Sequence, residues 1–388
     1  MYRKICTLVL LTATASILGC RGNGPAFNSG TQGILEQTDV FIGGEDGVAE
    51  YRIPVLVTSN KGTLLAFCDA RVKRRGDPPN NIDLVMKRSV DGGKTWGPLQ
   101  VLVNVGKGAA ADSCGLVDRQ TGTIWVFTGY FPEGVGAGNA ERGLSGPTVM
   151  YWAIKSDDDG DTWSEPVDVT ALFKKPGWRA GSTGPGTGLQ TRNGRLIVPK
   201  YFITENGYTT SHVVFSDDHG KSWQLGGGAE SQGTTNECQV VELADGTLLL
   251  NMRGVNGNHR RISRSSDGGL SWSAAVEDPA LIGPLCQASL SNFTDGVQHD
   301  KDRILFSNPA ATERKDMTVR LSYDGGRTWP VAKTLHAGPA AYSCLTVLQD
   351  MTIGCLYERG EHDPYERISV ARFNLEWLTD GHDTVRLD

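Results

Sequence analysis

Short segments of this chain carry residue types that do chemistry elsewhere, and most of them fail on spacing. Gly93-Lys94-Thr95 and Gly220-Lys221-Ser222 have the lysine and hydroxyl that close a phosphate-binding loop, yet the earlier glycine such a loop requires falls on Arg88 and Phe215. Asp157-Asp158-Asp159-Gly160-Asp161 is dense in carboxylates, but the turn glycine and closing glutamate of a calcium loop are misplaced, so it reads as a turn. Neither H-E-x-x-H nor G-x-S-x-G occurs, which removes zinc-protease and nucleophile-elbow chemistry. The eight cysteines include no C-x-x-C pair, so zinc-ribbon and thioredoxin readings fail too. Cys68, Cys114, Cys238, Cys286, Cys344 and Cys355 sit mostly in apolar strand patterns and are expected to be buried free thiols. The seven histidines show no pattern. Any chemistry must come from side chains far apart in sequence and gathered by the fold.

The elements that could gather them are legible as repeats. Five octets share the form S-x-D-x-G-x-[ST]-W: SVDGGKTW (89–96), SDDDGDTW (156–163), SDDHGKSW (216–223), SSDGGLSW (265–272) and SYDGGRTW (322–329). Asp and Gly build a tight turn, the carboxylate bonding nearby backbone N–H groups and the glycine taking positive φ. The terminal Trp can cap an apolar cluster at the strand end. A strand precedes each octet, as in IDLVMKR (82–88) and MTVRLS (317–322). Upstream lies a second repeat, an apolar run, a glycine turn and another apolar run, as in IPVLVTSNKGTLLAF (53–67). Residues 343–356 repeat this form without an octet. Each unit holds about four antiparallel strands, and radially repeated four-stranded sheets make a β-propeller. The expectation is an all-β, six-bladed β-propeller of four-stranded antiparallel blades over residues 34–388. The strand at 34–41 would close the last blade, leaving the ring without a free edge.

Composition bounds the partners. A chain of 388 residues with 39% hydrophobic content can bury a sizeable core, and a net charge of −6 excludes disorder as the main state. No basic footprint is visible, so nucleic acid is not an expected partner. Arg3 and Lys4 lead into an apolar run, Ile5 to Ile17, closed by Leu18-Gly19-Cys20, the layout of a signal peptide over residues 1–19. The segment before Cys20 resembles a bacterial lipoprotein box. It implies cleavage before Cys20 and lipid on that residue, with residues 20–33 as a flexible tether. The expected location is the cell envelope, as a lipoprotein of the outer membrane or facing the periplasm, or secretion. Arg21 rather than Asp after Cys20 points to outer-membrane sorting in a Gram-negative organism. The lipid is the only expected membrane contact.

The octet resembles the Asp-box of bacterial neuraminidase repeats, which alone implies a blade and no activity. Other segments resemble the exo-sialidases of that family. Tyr51-Arg52-Ile53-Pro54 is similar to the signature opening their first blade. Arg253 and Arg320, the latter in Thr318-Val319-Arg320-Leu321-Ser322, stand where the family places its second and third arginines. Glu237, sixteen residues before Arg253, matches the catalytic glutamate, and Tyr342 the nucleophile. Arg71 and Asp77 match the first-blade arginine and the acid/base aspartate, the latter in a flexible-looking Gly-Asp-Pro-Pro loop. Asp112 matches the aspartate opening the second blade, and Glu358 the glutamate that pairs with the first arginine.

The resemblance implies an exo-α-sialidase that removes terminal sialic acid from glycans with retention. Arg52, Arg253 and Arg320 would bind the sugar's carboxylate, since planar guanidiniums hold that group bidentately. Tyr342 would be the nucleophile, Glu237 its base and Asp77 the acid/base, because a neutral phenol is not repelled by the substrate's own carboxylate. Arg71 and Asp112 are assigned to the hydroxyl or N-acetyl groups and Gln287 to the glycerol arm. No metal or cofactor is expected, and the enzyme is expected to act as a monomer. Two alternatives stand beside this reading: a non-catalytic sialoglycan-binding propeller, and a relative that transfers the sugar or forms an anhydro product.

Overall fold

The computed structural model describes residues 32–385, so the leader, Cys20 and nearly all of the 20–33 tether lie outside the described residues. Within them the chain is almost wholly β. Two single-turn helices, Thr170–Phe173 and Leu375–Leu378, are the exceptions, and among the described residues no helix is long and apolar enough to cross a membrane. The strands form sheets of nine, seven, five and four, paired antiparallel nearly throughout.

The octets set the local geometry. Ser89 Oγ accepts from Gly93 N at 2.9 Å, and Asp91 Oδ1 accepts from Lys94 N and Thr95 N at 3.1 and 3.0 Å. Asp91 Oδ2 takes the Thr95 hydroxyl at 2.6 Å, so one carboxylate satisfies most of the turn's polar groups. Asp158, Asp218, Asp267 and Asp324 each repeat the hydroxyl bond. Each octet Trp then packs into an apolar cluster; Trp223, for example, stands edge-on to Phe127 with centroids 4.9 Å apart. The six cysteines among the described residues are buried free thiols.

The two large sheets each join at a narrow seam. In the nine-stranded sheet a lone parallel bridge, Ile82 to Ala109, links the strands up to Ile82–Ser89 with those from Ala109–Val117 onward. In the seven-stranded sheet the long strand Val331–Val347 pairs Lys315–Ser322 with its first half and Ile353–Arg359 with its second. That sheet is completed by both ends of the chain: Leu35–Ile42 lies antiparallel to Arg367–Phe373, from Leu35 opposite Phe373 to Ile42 opposite Arg367.

Inner strands of all four sheets meet along a common axis. Leu56 N donates to Cys344 Sγ at 3.2 Å, Leu345 N to Ser289 Oγ at 2.9 Å, and Gly186 bridges Cys114. A Cβ on Gly184 would lie 2.0 Å from the Cys238 carbonyl, so only glycine lets those segments approach. Near the octet end of the axis, a cavity of about 200 Å³ is lined by Thr58, Leu116, Leu189, Val241, Ser291 and Thr346 among others. Opposite it lies a second cleft.

Candidate active site

This cleft, of about 250 Å³, opens at the end of the axis away from the octets. Register fixes that polarity: in the Leu64–Arg71 strand, Arg71 in the cleft pairs with Ile82, while Leu64 pairs with Ser89, where an octet begins.

Four axial strands break register at the cleft, between Arg52 and Val55, Ala111 and Cys114, Thr235 and Cys238, and Ala340 and Ser343. The unpaired residues include Ile53, Asp112, Glu237 and Tyr342. A bulge frees a strand residue from the ladder and re-aims its side chain, which is why bulges recur beside active sites. Ile53 and Asp112 have φ of 62° and 56°, uncommon for any non-glycine and strained for a β-branched residue. Ile53 is held there by its N–H, which donates to Glu358 Oε1 at 2.8 Å, and by packing against Cys286, Ala341 and Tyr342.

Tyr342 is the centre of the site. Its hydroxyl donates to Glu237 Oε1 at 2.6 Å, and Arg253 Nη1 donates both to that hydroxyl at 3.0 Å and to Glu237 Oε2 at 2.8 Å. Burial and the Glu237 carboxylate push the phenol well above its ordinary range, so Tyr342 is neutral. Arg52 Cζ lies 5.0 Å from the Tyr342 ring centroid and Arg314 Cζ 5.5 Å. Three guanidiniums therefore surround one phenol. Glu358, wholly buried, takes Arg52 Nε at 2.6 Å on one oxygen and Tyr342 N at 2.9 Å on the other.

The other side of the cleft is acidic. Arg71 Nη1 donates to Glu50 Oε2 at 2.7 Å and its Nη2 to Asp77. The Asp77 side chain is 79% exposed, on a loop that Asn80 ties by donating to the carbonyls of Arg74 and Gly76. Both oxygens of Asp69 accept from Asp112 N at 3.2 Å. Burial, Glu237 and Asp77 push Asp112 up to about 7, and burial together with Asp112 pushes Asp69 well above the carboxylate range. A ligand spanning the cleft meets an anion-binding face at one end and proton-carrying groups at the other.

Arg52, Arg253, Arg71, Asp77, Asp112, Glu237 and Tyr342 thus line one cleft, with Glu358 directly behind. Two expected residues lie elsewhere. Arg320 sits mid-strand, opposite Phe306 and Ala332, two residues before the octet at Ser322. At about 3.3 Å per residue it is roughly 20 Å along the strand from Arg314, the guanidinium the cleft contains instead. Sequence reasoning missed Arg314, although the octet signalled it: a residue adjoining the octet cannot reach the opposite end. Gln287 is buried, and its carboxamide cross-links the axis, donating to the Pro185 and Ser343 carbonyls at 2.8 and 3.0 Å and accepting from Ser343 N at 3.1 Å. Its polar atoms are occupied, and it does not line the cleft.

Residues 62–355 match the family described as the BNR repeat-like domain. The chain is 36% identical over 367 residues to a sialidase of Micromonospora viridifaciens, covering 90% of this chain and 55% of the relative. It is 35% identical over 337 residues to a sialidase of Bacteroides fragilis, covering 81% and 61% respectively. The chain thus spans little more than half the length of these relatives. Among solved structures, a Hadza microbial sialidase superposes with a TM-score of 0.82 at 35% identity, covering 88% of this chain and 69% of that one.

Proposed function

The chain belongs to the sialidase family built on BNR repeats, and from that premise we propose that it is an exo-α-sialidase cleaving terminal sialic acid from sialylated glycans with retention. The observation that carries the reading is the bond of 2.6 Å between the Tyr342 hydroxyl and Glu237, inside a ring of three arginines.

Arg52, Arg253 and Arg314 clamp the carboxylate on the anomeric carbon, each charge-assisted bond contributing on the order of 1.5–3 kcal/mol. With the sugar so held, the Tyr342 oxygen attacks the anomeric carbon as Glu237 takes its proton. Asp77 gives a proton to the departing glycosidic oxygen. Asp77, now ionised, takes a proton from the water that displaces the Tyr342 oxygen, and Glu237 returns its proton to the phenol. Two displacements at one carbon retain configuration. Arg71 fixes Asp77 from behind, and Arg71 and Asp112 face the sugar's hydroxyl and N-acetyl groups.

The scaffold of this proposal is six four-stranded blades. The nine- and seven-stranded sheets each divide at their seam, and the axial cavity has walls from six strand segments, which supports the count. The exported, lipid-anchored and monomeric form remains part of the proposal.

Release of a fluorogenic aglycone from an α-sialoside tests the activity. Wild type is expected to release it, and Tyr342→Phe to lose most of that rate. No release by wild type, or undiminished release by Tyr342→Phe, would end the proposal.

A further inference from the structure

Resting on the sialidase reading, we propose that Tyr365 is a positioning residue that sets the third arm of the carboxylate clamp. Its hydroxyl accepts from Arg314 Nη1 at 2.6 Å, and its ring lies 4.0 Å from Arg52 Cζ, so one side chain braces two of the three guanidiniums.

The three arginines are held by different chemistry. Arg52 is held by the Glu358 carboxylate and Arg253 by Glu237. The hydrogen bonds of Arg314 go to the Tyr365 phenol and, at 3.4 Å, to the Leu285 carbonyl, both neutral. A neutral acceptor fixes the direction of a guanidinium without cancelling its charge. Arg314 therefore keeps more attraction for an incoming carboxylate than an arginine already paired with an acid.

The loop presenting Tyr365 is built for the purpose. Glu366 accepts from the backbone amides of residues 361–363 at 2.8–3.1 Å, closing the turn on itself. Asp363 Oδ1 accepts from Tyr365 N at 2.9 Å, and its Oδ2 takes Arg75 Nη2 at 2.6 Å. Arg75 also donates to Glu50, which holds Arg71 and through it Asp77. The loop that orients the anion-binding end is thereby strapped to the loop bearing the acid/base group.

The test is steady-state kinetics on a fluorogenic sialoside with Tyr365→Phe and Tyr365→Leu. Phe keeps the ring over Arg52 and removes only the acceptor. KM is expected to rise about tenfold with kcat within about twofold, because the carboxylate contact is made in ground and transition states alike. Leu removes the ring as well and should raise KM further. A Tyr365→Phe KM within twofold of wild type, an equal fall in kcat and kcat/KM, or loss of cooperative unfolding in urea overturns the proposal. If wild type shows no turnover the enzymatic reading falls separately. Calorimetric titration with free sialic acid then still decides the role of Tyr365, through a tenfold weaker binding by the Phe variant or its absence.

Discussion

Glu358 reaches Tyr342 through the backbone: its Oε2 accepts from the Tyr342 amide at 2.9 Å, while its Oε1 takes Arg52 Nε at 2.6 Å and Ile53 N at 2.8 Å. One fully buried carboxylate thus fixes the phenol's strand, a strained residue and one arm of the clamp. Glu358→Gln would turn an NH₂ toward groups that are themselves donors. We expect kcat/KM to fall at least 100-fold and stability to drop by about 3–5 kcal/mol, the scale for breaking a buried ion pair. Urea unfolding and sialoside kinetics check both; an unchanged unfolding midpoint would contradict the role.

Arg314 and Arg320 give opposite expectations. Arg314→Gln removes a cleft guanidinium and should raise KM about 10- to 100-fold. Arg320→Gln, in mid-strand near the octet, should leave KM and kcat within twofold. The reverse pattern would restore the assignment based on sequence.

Asp112 predicts a pH signature. Burial and the nearby Glu237 and Asp77 raise its folded value to about 7, above the ordinary value near 4. Folding therefore favours its protonated form. The associated stability is whole below about pH 4 and is lost as pH rises through about 7. Asp112→Asn carries no charge to bury, so its Tm should gain on wild type between pH 4 and 7 and then level off. Thermal melts across pH 4–8 measure this, and a difference independent of pH would contradict it.

The octets predict the opposite slope. Hydroxyls of Thr or Ser, with backbone amides, hold Asp91, Asp158, Asp218 and Asp267 at about 2. Depressed carboxyls stabilise above the ordinary range near 4, and that contribution is lost as pH falls through about 2. The Tm of wild type should decline from pH 4 toward 2, and Asp267→Asn should decline less steeply while starting lower. Identical acid limbs for the two chains would count against the turn chemistry.

What the sequence disclosed follows the range of the physics. An octet is complete within eight residues, so Asp91 with Thr95 and Gly93 with Ser89 could be read from spacing alone. Tyr342 and Glu237 are 105 residues apart, and nothing local announces that they meet; only family resemblance paired them. The bulges that aim them are local insertions into the ladder, and the alternating pattern does not announce where they fall. The same gap explains Arg320, whose segment looks like a strand end until its distance from the octet is counted. Gln287 shows the converse: a polar side chain beside a cleft can be absorbed by the backbone of its own scaffold.

The pairing of Leu35–Ile42 with Arg367–Phe373 has a consequence for synthesis. The first of these segments leaves the ribosome long before its partner exists, a delay on the order of tens of seconds at ordinary elongation rates. In that interval it is an unpaired strand able to recruit a neighbouring nascent chain. Glu36, Gln37, Thr38 and Asp39 make it a poor template for such capture, since charged and polar edges resist intermolecular pairing. The residues that later knit the last sheet together also guard the polypeptide while it waits.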